Sequence, residues 1–186
     1  MQYYLKMMDK LNYIIMKRSL FVLSAHIFLI CISCKENIDI AKEKEAILKV
    51  LQEEGDAYAA SDLKRISAVH IQDSTATRLG QGSDSYKIYK GWNDIKKLYE
   101  DNLKIHSTDS SLKNPQNLKE NLIIKVVGNS AWVLCDNTWK YEYNNVAGLT
   151  TNLQIAFFEK INGQWKFSFD AFVQRPGEIT KTEESK

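Results

Sequence analysis

Cysteine, histidine and proline are scarce in this chain of 186 residues, which holds three, three and two of them. The cysteines are Cys31, Cys34 and Cys135, and so few and scattered thiols exclude a disulfide framework. The cysteines and histidines also do not follow the spacing of a zinc site. We therefore expect no metal and no cofactor.

An excess of charge of one sign is missing too, with 25 Lys and Arg against 23 Asp and Glu. Four of these basic residues and one acidic residue precede Cys34, so the segment from Cys34 onward keeps 21 basic and 22 acidic residues. A protein that binds nucleic acid needs a basic face for the phosphates, and no basic block remains in that segment. Nucleic acid is therefore not an expected partner.

A long hydrophobic run is the third absence. The run at 20–32, "LFVLSAHIFLICI", is shorter than the roughly 20 apolar residues that span a bilayer. Lys17 and Arg18 precede it and Ser33 follows it, as in a secretory signal peptide. Its end resembles the lipobox of bacterial lipoproteins, in which a cysteine after a small residue becomes the lipidated first residue. Cys34 fits that place, although Cys31 stands where leucine is usual. The alternative is an ordinary signal peptide with a stray thiol.

This pattern predicts a signal peptide at 1–33, with translation expected to start at Met16, and a lipidated tether at 34–40. Each buried CH₂ of an acyl chain contributes about 0.8 kcal/mol, so two or more chains hold a soluble domain on a membrane. We expect a lipid anchor at Cys34 and a place in the bacterial cell envelope, facing the periplasm or the cell surface. The segment that follows is long enough for one domain with a core.

The hydrophobic period in that segment changes from a helical one to that of strands. Helices are predicted at 41–60, from Leu63 to about Val69, and after Asn93 as an N-cap. A short strand at 75–79 precedes a polar loop at 80–85, and a second polar loop is predicted at 106–117. Four strands and a polar tail follow, at 122–127, 131–143, 151–161, 164–174 and 175–186. The order predicts an α+β domain, a cone-shaped roll of about three helices on a strongly curved antiparallel sheet.

The last two strands have a register that the turn at Asn162 and Gly163 defines, because Asn-Gly favours a two-residue type I′ hairpin. Strict alternation then places one apolar row on the concave side: Trp165, Phe167, Phe169 and Ala171. The same alternation on the preceding strand turns inward Ala131, Val133, Cys135, Asn137, Trp139 and Tyr141. Asp136 and Asp170 are predicted to face the other way, as solvent or interface carboxylates. The hollow is therefore expected to lack a proton-transfer group.

Four stretches resemble the nuclear transport factor 2-like superfamily, in particular its SnoaL-like bacterial members. They are "AYAASDLKRI" (57–66), "GWNDIKKLY" (91–99), "GNSAWVLCDNTW" (128–139) and "KINGQWKFSF" (160–169). The matching features run from about Ala41 to Val173, and the domain is predicted at 41–174. The resemblance implies a cone of three helices wrapped by a bent sheet, with a pocket at its open end. Dimers are common in the superfamily, so a homodimer is expected.

The catalytic groups of that superfamily are not matched in the sequence. Ketosteroid isomerase has an aspartate base near the place where this chain has Thr77 or Arg78, and neither can take a proton from carbon. Many SnoaL-like proteins carry histidines on the inward positions of the last strand, where Phe169 and Ala171 stand here. No catalytic residue is therefore assigned.

The other titratable residues have ordinary interpretations. Asp73 is predicted to be a turn or cap group. Cys135 is predicted to be a small core residue, with a dyad with His70 or His106 left open. Both histidines lie in or beside predicted loops and are expected at the solvated surface.

An apolar hollow with a few fixed polar groups is how small-molecule sites are built. The pocket candidates are Tyr58, Asn137, Trp139, Tyr141, Gln154, Phe158 and Phe169; a filled core is the alternative. We interpret the chain as a module that binds a small, mostly apolar ligand or acts through a dimer contact. The alternatives are an isomerase, lyase or hydrolase on a small organic substrate, and an interaction domain with an apolar sheet face at Leu153, Ile155 and Phe172.

Overall fold

The computed structural model describes residues 38–81 and 85–174. Its helices are α1 (Ile40–Ala59), α2 (Leu63–Ala68) and α3 (Trp92–Thr108). Its strands are β1 (Thr77–Gln81), β2 (Tyr86–Lys90), β3 (Leu112–Val127), β4 (Ser130–Tyr143), β5 (Val146–Ile161) and β6 (Gln164–Gln174). They form one sheet in the order β2-β1-β6-β5-β4-β3, antiparallel except for the parallel pair β1 and β6. The predicted α+β class, with helices on a curved and mostly antiparallel sheet, is confirmed.

Helix α1 begins where the sequence offers a cap and lies across the sheet on its apolar face. The Asp39 side chain accepts a hydrogen bond from the backbone N–H of Lys42 at 3.1 Å, which satisfies one of the free donors of the first turn. Ile47 and Leu51 are fully buried in a core cluster that includes Val133 and Phe158. Gly55 allows α1 to approach β3 closely, because a Cβ at this position would lie only 2.3 Å from Oδ1 of Asn117 on β3.

Three elements differ from the predicted ones. β2 lies between the predicted loop at 80–85 and the predicted helix, where no element was assigned. It is a short edge strand whose side chains are mostly exposed, so its hydrophobic alternation is weak. β3 begins at Leu112 within the predicted polar loop, and Pro115 lies at a register shift, where an edge strand tolerates proline. α3 begins after Gly91, whose φ of 79° favours glycine, and Asn93 lies inside the helix.

The predicted Asn-Gly turn between β5 and β6 is confirmed. Asn162 and Gly163 have φ values of 51° and 79°, as a type I′ turn requires, and Ile161 pairs with Gln164. The regular pairing of β5 with β6, and with it the alternation of inward and outward side chains, continues from this turn to the pair Phe158 and Phe167.

A β-bulge then ends that alternation. Phe157 pairs with Phe169 instead of Ser168, so one extra residue enters β6 and later side chains change face. Two segments share this edge of β6: Ile71 donates to the Phe167 carbonyl at 2.9 Å, and β1 pairs with β6 from Phe169 onward. The bulge lies where one pairing partner replaces the other.

The predicted faces of four residues on β6 are therefore wrong. Ala171, predicted on the concave side, pairs with Ile155 and so shares the outer face with Phe157, although it stays buried. Asp170 is turned inward and is 2% exposed, although alternation placed it outside. Phe169 is half-buried and contacts the ring of the exposed Phe157 on the opposite face, with centroids 5.6 Å apart. Phe172 lies over Arg78, 4.8 Å from the guanidinium carbon to the ring centroid, and so does not belong to an outer apolar face.

Candidate functional site

A buried ion pair joins β1 to β6 inside the cone. Arg78 and Asp170 are opposite each other in the parallel pair, and Nη1 of Arg78 lies 2.7 Å from Oδ2 of Asp170. Gln154 on β5 donates from Nε2 to the other oxygen, Oδ1, at 3.1 Å. Both oxygens of Asp170 thus accept hydrogen bonds, which is the arrangement that a buried carboxylate requires.

The hydroxyl of Tyr99 on α3 connects this pair to two further groups. It accepts a hydrogen bond from Arg78 and donates to Oε1 of Glu54 on α1 at 2.8 Å. Nε2 of His70 lies 3.2 Å from the same oxygen. The carboxylate of Glu54 is also near Arg78, with 3.8 Å between Oε1 and Nη1. One phenol therefore holds a carboxylate, a guanidinium and an imidazole in place.

His70 is a neutral member of this cluster. Its ring is stacked between Trp92 and Phe167, with centroids 5.5 and 4.9 Å away. Burial lowers the pKa of His70 to about 3, although the nearby Glu54 opposes the shift. The neutral ring acts as a hydrogen-bond partner of Tyr99 and not as a proton carrier near neutral pH. The prediction that His70 lies at the solvated surface is wrong.

The two carboxylates of the cluster differ in their protonation equilibria. Burial raises the pKa of Asp170, an effect that Arg78 only partly offsets. Burial also acts on Glu54, but the positive charges of Lys119 and Arg78 outweigh it and leave the pKa of Glu54 lowered. Glu54 is therefore ionised at neutral pH. The hollow was predicted to lack a proton-transfer group because Asp170 was expected to face away from it. That prediction is wrong: the bulge turns Asp170 inward, and α1 brings the carboxylate of Glu54 to the same guanidinium.

A row of amides continues the polar network across β3, β4 and β5. Lys119 donates to Oδ1 of Asn137 and to Oε1 of Gln154, each at 2.7 Å. Asn137 in turn donates to Oδ1 of Asn152 at 2.9 Å. Burial lowers the pKa of Lys119, and Glu54 opposes this shift. Within the cluster, the charges of Arg78 and Lys119 balance those of Glu54 and Asp170.

An inner cavity of about 190 Å³ opens beside these groups. Its wall combines a carboxylate, a guanidinium, three amides and three aromatic rings: Glu54, Arg78, Asn102, Asn137, Asn152, Tyr58, Trp139 and Phe172. The aromatic rings supply apolar contact area, whereas the polar groups can fix the orientation of a ligand. Glu54 and Arg78 are the charged groups of this wall.

An outer cavity of about 340 Å³ shares Tyr58 and Trp139 with the inner one. The remainder of its wall consists of His106, Leu112, Pro115, Tyr141 and Thr150. The Tyr58 ring contacts those of Trp139 and His106 edge-on, with centroids 5.4 and 5.0 Å apart. Nε2 of His106 lies 3.4 Å from the Tyr58 hydroxyl, and burial lowers the pKa of His106.

The seven predicted pocket residues divide into four that line a cavity and three that do not. Tyr58 and Trp139 line both cavities, Asn137 lines the inner one and Tyr141 the outer one. Gln154 is fully buried behind the wall, and Phe158 packs on Phe167 in the core. Phe169 lies on the outer face. Their role in ligand binding stays a prediction.

The predicted positions of the β4 side chains and of Asp73 agree with the structure. The inward positions of Ala131, Val133, Cys135 and Asn137 on β4 are confirmed by their burial. Burial raises the pKa of the Cys135 thiol to about 11, so it is a core residue and not a reactive thiolate. Asp136 keeps its outward position and accepts a hydrogen bond from Asn121 at 2.6 Å. Asp73 is the predicted turn group, bonded to the N–H of Thr75 at 2.7 Å.

Several predictions concern residues that the structure does not describe. Cys34, the signal peptide at 1–33, most of the tether at 34–40 and the tail at 175–186 lie outside 38–81 and 85–174. Over those two ranges, no helix has the length and apolar character to cross a bilayer. The same residues contain no group of three or more acidic, histidine or cysteine side chains that could hold a metal ion.

Sequence analysis missed Glu54, Arg78, Tyr99, Lys119 and Asp170 as site residues. One signal was present for Glu54. It follows Leu51 by three positions and precedes Tyr58 by four, so it lies on the apolar face of α1, where a carboxylate requires a partner. The others depend on contacts between distant parts of the chain.

Comparison with solved structures assigns the fold. The chain is similar to a candidate scytalone dehydratase from Novosphingobium aromaticivorans DSM 12444, with 15% identity and a TM-score of 0.60 over 78% of this chain and 91% of that one. An NTF2-like protein with a cystatin-like fold, also from N. aromaticivorans, shows 14% identity and a TM-score of 0.59 over 84% and 90%. A candidate dehydratase of the NTF2-like family from Streptomyces avermitilis shows 11% identity and a TM-score of 0.61 over 73% and 97%.

These similarities establish the fold as that of NTF2-like proteins, as the sequence resemblance predicted. No protein-family model and no curated protein sequence matches this chain. At such low identity the shared fold does not carry over an activity. Any function has to be argued from the site itself.

Proposed function

We propose that this protein is an acid–base enzyme that eliminates water from a small hydroxylated carbonyl compound in the inner cavity. The observation that carries the proposal is an ionised carboxylate beside a fixed guanidinium at one cavity wall, Glu54 and Arg78. A positioned carboxylate can take a proton from carbon, and a fixed cation can stabilise the oxyanion that forms. That two of the structural neighbours are described as candidate dehydratases supports this reaction class.

In the proposed reaction Glu54 removes a proton from the carbon next to the carbonyl group. The electron pair of that C–H bond moves to the carbonyl oxygen, and Arg78 stabilises the resulting enolate. The enolate then forms a C=C bond and expels the hydroxyl group from the neighbouring carbon. Glu54 returns its proton to the departing hydroxide, so the products are an unsaturated carbonyl compound and water.

Two tyrosines have different places in the proposed site. The Tyr99 hydroxyl donates to Oε1 of Glu54 and orients its carboxylate, whereas Asp170 and Tyr99 together hold Arg78. Tyr58 belongs to both cavities, so a ligand that reaches Glu54 would contact its ring. Tyr99 and Asp170 thus act as positioning residues.

Glu54→Gln is expected to lower the rate of elimination by about 10²- to 10⁴-fold, because an amide cannot accept the proton. The substrate is 4-hydroxy-4-phenylbutan-2-one, and formation of the conjugated ketone is followed by ultraviolet absorbance. Glu53→Gln is the matched control, since Glu53 is the adjacent residue but pairs with Arg65 outside the cavity. Equal rates for wild type and Glu54→Gln would contradict the role of Glu54.

The pH dependence gives a second readout. The pKa of Glu54 is lowered from the usual 4.5, so the base stays ionised through neutral pH. The rate of the wild-type protein is therefore expected to stay level near neutrality and to fall only when acid protonates Glu54, below the ordinary glutamate range.

A binding module is the second candidate, and the aromatic walls at Tyr58, Trp139 and Phe172 favour it. Such a protein would hold a small, mostly apolar ligand without changing it. Saturable binding of 4-phenylbut-3-en-2-one, combined with no turnover of the hydroxyketone, would support the module over the enzyme.

The lipid anchor is a separate proposal, which rests on Cys34 and the apolar run before it. We propose that acylated Cys34 attaches the domain to a membrane of the bacterial cell envelope. Cys34→Ala is expected to move the protein from the membrane fraction to the soluble fraction. A variant that stays in the membrane fraction would contradict the anchor at Cys34, and a wild type that is already soluble would favour the ordinary signal peptide.

A homodimer through the outer face of the sheet is also proposed. Leu153, Ile155 and Phe157 lie on this face, and Phe157 is 47% exposed, which supports an apolar contact. Analytical ultracentrifugation is expected to give twice the monomer mass, and Phe157→Lys to give the monomer. A monomer in both proteins, even at high concentration, would contradict the proposal.

A further inference from the structure

Lys119 on β3 occupies a central place in the polar network that the proposed reaction does not use. Its Nζ donates to Oδ1 of Asn137 and to Oε1 of Gln154. An ammonium group has three N–H donors and no acceptor, so each amide has to turn its carbonyl oxygen toward Lys119. Lys119 therefore determines which end of each amide points away from it.

The first branch of the network leads through Asn137 to the inner cavity. Because its Oδ1 faces Lys119, Asn137 uses Nδ2 to donate to Oδ1 of Asn152 at 2.9 Å. Asn152 lines the cavity, and this bond commits its carbonyl oxygen to Asn137. The group that Asn152 offers to a ligand is then its Nδ2 donor.

The second branch leads through Gln154 to the same wall. Its Nε2 donates to Oδ1 of Asp170 at 3.1 Å, and Oδ2 of Asp170 accepts from Arg78 at 2.7 Å. The carboxylate therefore holds Arg78 by one edge of its guanidinium group. Arg78 also lines the cavity, and because a guanidinium group can only donate, this branch determines the position of the donor and not its polarity.

A second observation, at Asn117, supports this orientation of the Asn137 amide. Its Nδ2 donates to Oδ1 of Asn137 at 2.7 Å, while its own Oδ1 is buried without a hydrogen-bond partner among the described residues. Turning the Asn117 amide around would place its oxygen against the Asn137 oxygen, which already faces Lys119. Oδ1 of Asn117 therefore stays unpaired, because the reversed amide would lose its hydrogen bond to Asn137 and bring two oxygens together.

From these contacts we infer that Lys119 is a positioning residue of the inner cavity: it turns the Asn152 amide so that its donor faces the ligand, and it holds the Arg78 donor in place through Gln154 and Asp170. Asn152 and Arg78 form the donor side of the cavity, and Glu54 forms its acceptor side. The ligand that fits has a carbonyl or carboxylate oxygen toward Asn152 and Arg78. The role of Glu54 at the other end of this ligand rests on the proposed function, whereas the donor side does not.

Two probes of the same shape test the donor side. Acetophenone carries a carbonyl oxygen, and α-methylstyrene carries a CH₂ group in its place. The dissociation constants are measured by ¹⁵N–¹H NMR titration of the full chain. Wild type is expected to prefer acetophenone by about 10-fold, the effect of one hydrogen bond. Lys119→Met and Lys119→Gln are expected to reduce the preference to about 2-fold or less.

Lys119→Arg and Lys125→Met are the controls for this experiment. Arginine also has donors only, so Lys119→Arg is expected to keep the preference. Lys125 is exposed on the same strand, and its replacement is expected to change nothing. A preference for acetophenone that survives in both Lys119→Met and Lys119→Gln would overturn the inference.

A measurement without ligand separates this inference from the proposed function. The side-chain amide resonances of Asn137 and Gln154 are expected to shift in Lys119→Gln, because glutamine can accept as well as donate, and to stay unchanged in Lys125→Met. Unchanged resonances in Lys119→Gln would overturn the inference. If wild type binds neither probe, the proposed reaction loses its substrate site, and these resonances still decide the role of Lys119.

Discussion

Arg78→Met is expected to lower the free energy of unfolding by about 3 to 5 kcal/mol, the usual effect of removing one partner of a buried ion pair. The side chains of Arg78 and Asp170 are only 13% and 2% exposed, so the variant would leave Asp170 as a buried carboxylate without its cation. The carboxylates of Asp170 and Glu54 would be left with Lys119 as the balancing charge. Urea unfolding at neutral pH measures the loss, and the loss is expected to shrink in acid as Asp170 becomes protonated.

Arg65→Met is the matched control for this prediction. Arg65 makes an ion pair of the same length, 2.7 Å to Glu53, but the two side chains are 41% and 39% exposed. Such a pair contributes at most about 1 kcal/mol. The double variant Arg78→Met with Asp170→Leu is expected to regain most of the stability, because it removes both charges. A loss in Arg78→Met no larger than in Arg65→Met would contradict the assignment of a buried pair.

The second large effect is acid destabilisation through His70. The pKa of His70 is about 3 in the folded protein and 6.5 in an unfolded chain, so between these values the unfolded state binds a proton that the folded state does not. Stability from this group is therefore complete above pH 6.5 and is lost as the pH falls toward 3. At about 1.4 kcal/mol per pH unit, the loss from pH 7 to pH 4 is expected to be about 3 kcal/mol.

His70→Phe isolates this contribution. Phenylalanine can occupy the space between Trp92 and Phe167 but cannot titrate, and it gives up one contact with the Tyr99 hydroxyl. The variant is expected to be slightly less stable at pH 7, by about 1 kcal/mol, and to lose about 3 kcal/mol less than wild type on acidification. Parallel stability curves for the two proteins between pH 7 and pH 4 would contradict a neutral, buried His70.

Several features of the fold could be predicted from local signals. The apolar positions of α1, the Asp62 cap of α2 and the Asn-Gly turn between β5 and β6 all depend on residues close in sequence. The inward residues of β4 follow from simple alternation, since that strand has no bulge against β5. These signals were sufficient for the α+β class and for the order of helices and strands.

The candidate site could not be predicted in the same way, because one extra residue in β6 changes the face of everything after it. Ser168 has no local property that marks it as a bulge. The bulge arises where two separate segments, Ile71 and β1, pair with one edge of β6. The β-strands at Tyr86 and Leu112 were missed for a related reason, since edge strands are solvated and show little hydrophobic alternation.

By itself, then, the amino-acid sequence determined the fold class, the tight turns and the apolar positions of α1 and β4, because neighbours along the chain specify them. Only the tertiary structure decided that the hollow is charged. Arg78 meets Asp170 across 92 positions, and Tyr99 meets Glu54 across 45. A carboxylate can be buried when a cation and a hydroxyl from other elements satisfy it, and only the packed strands and helices bring these partners within hydrogen-bonding distance.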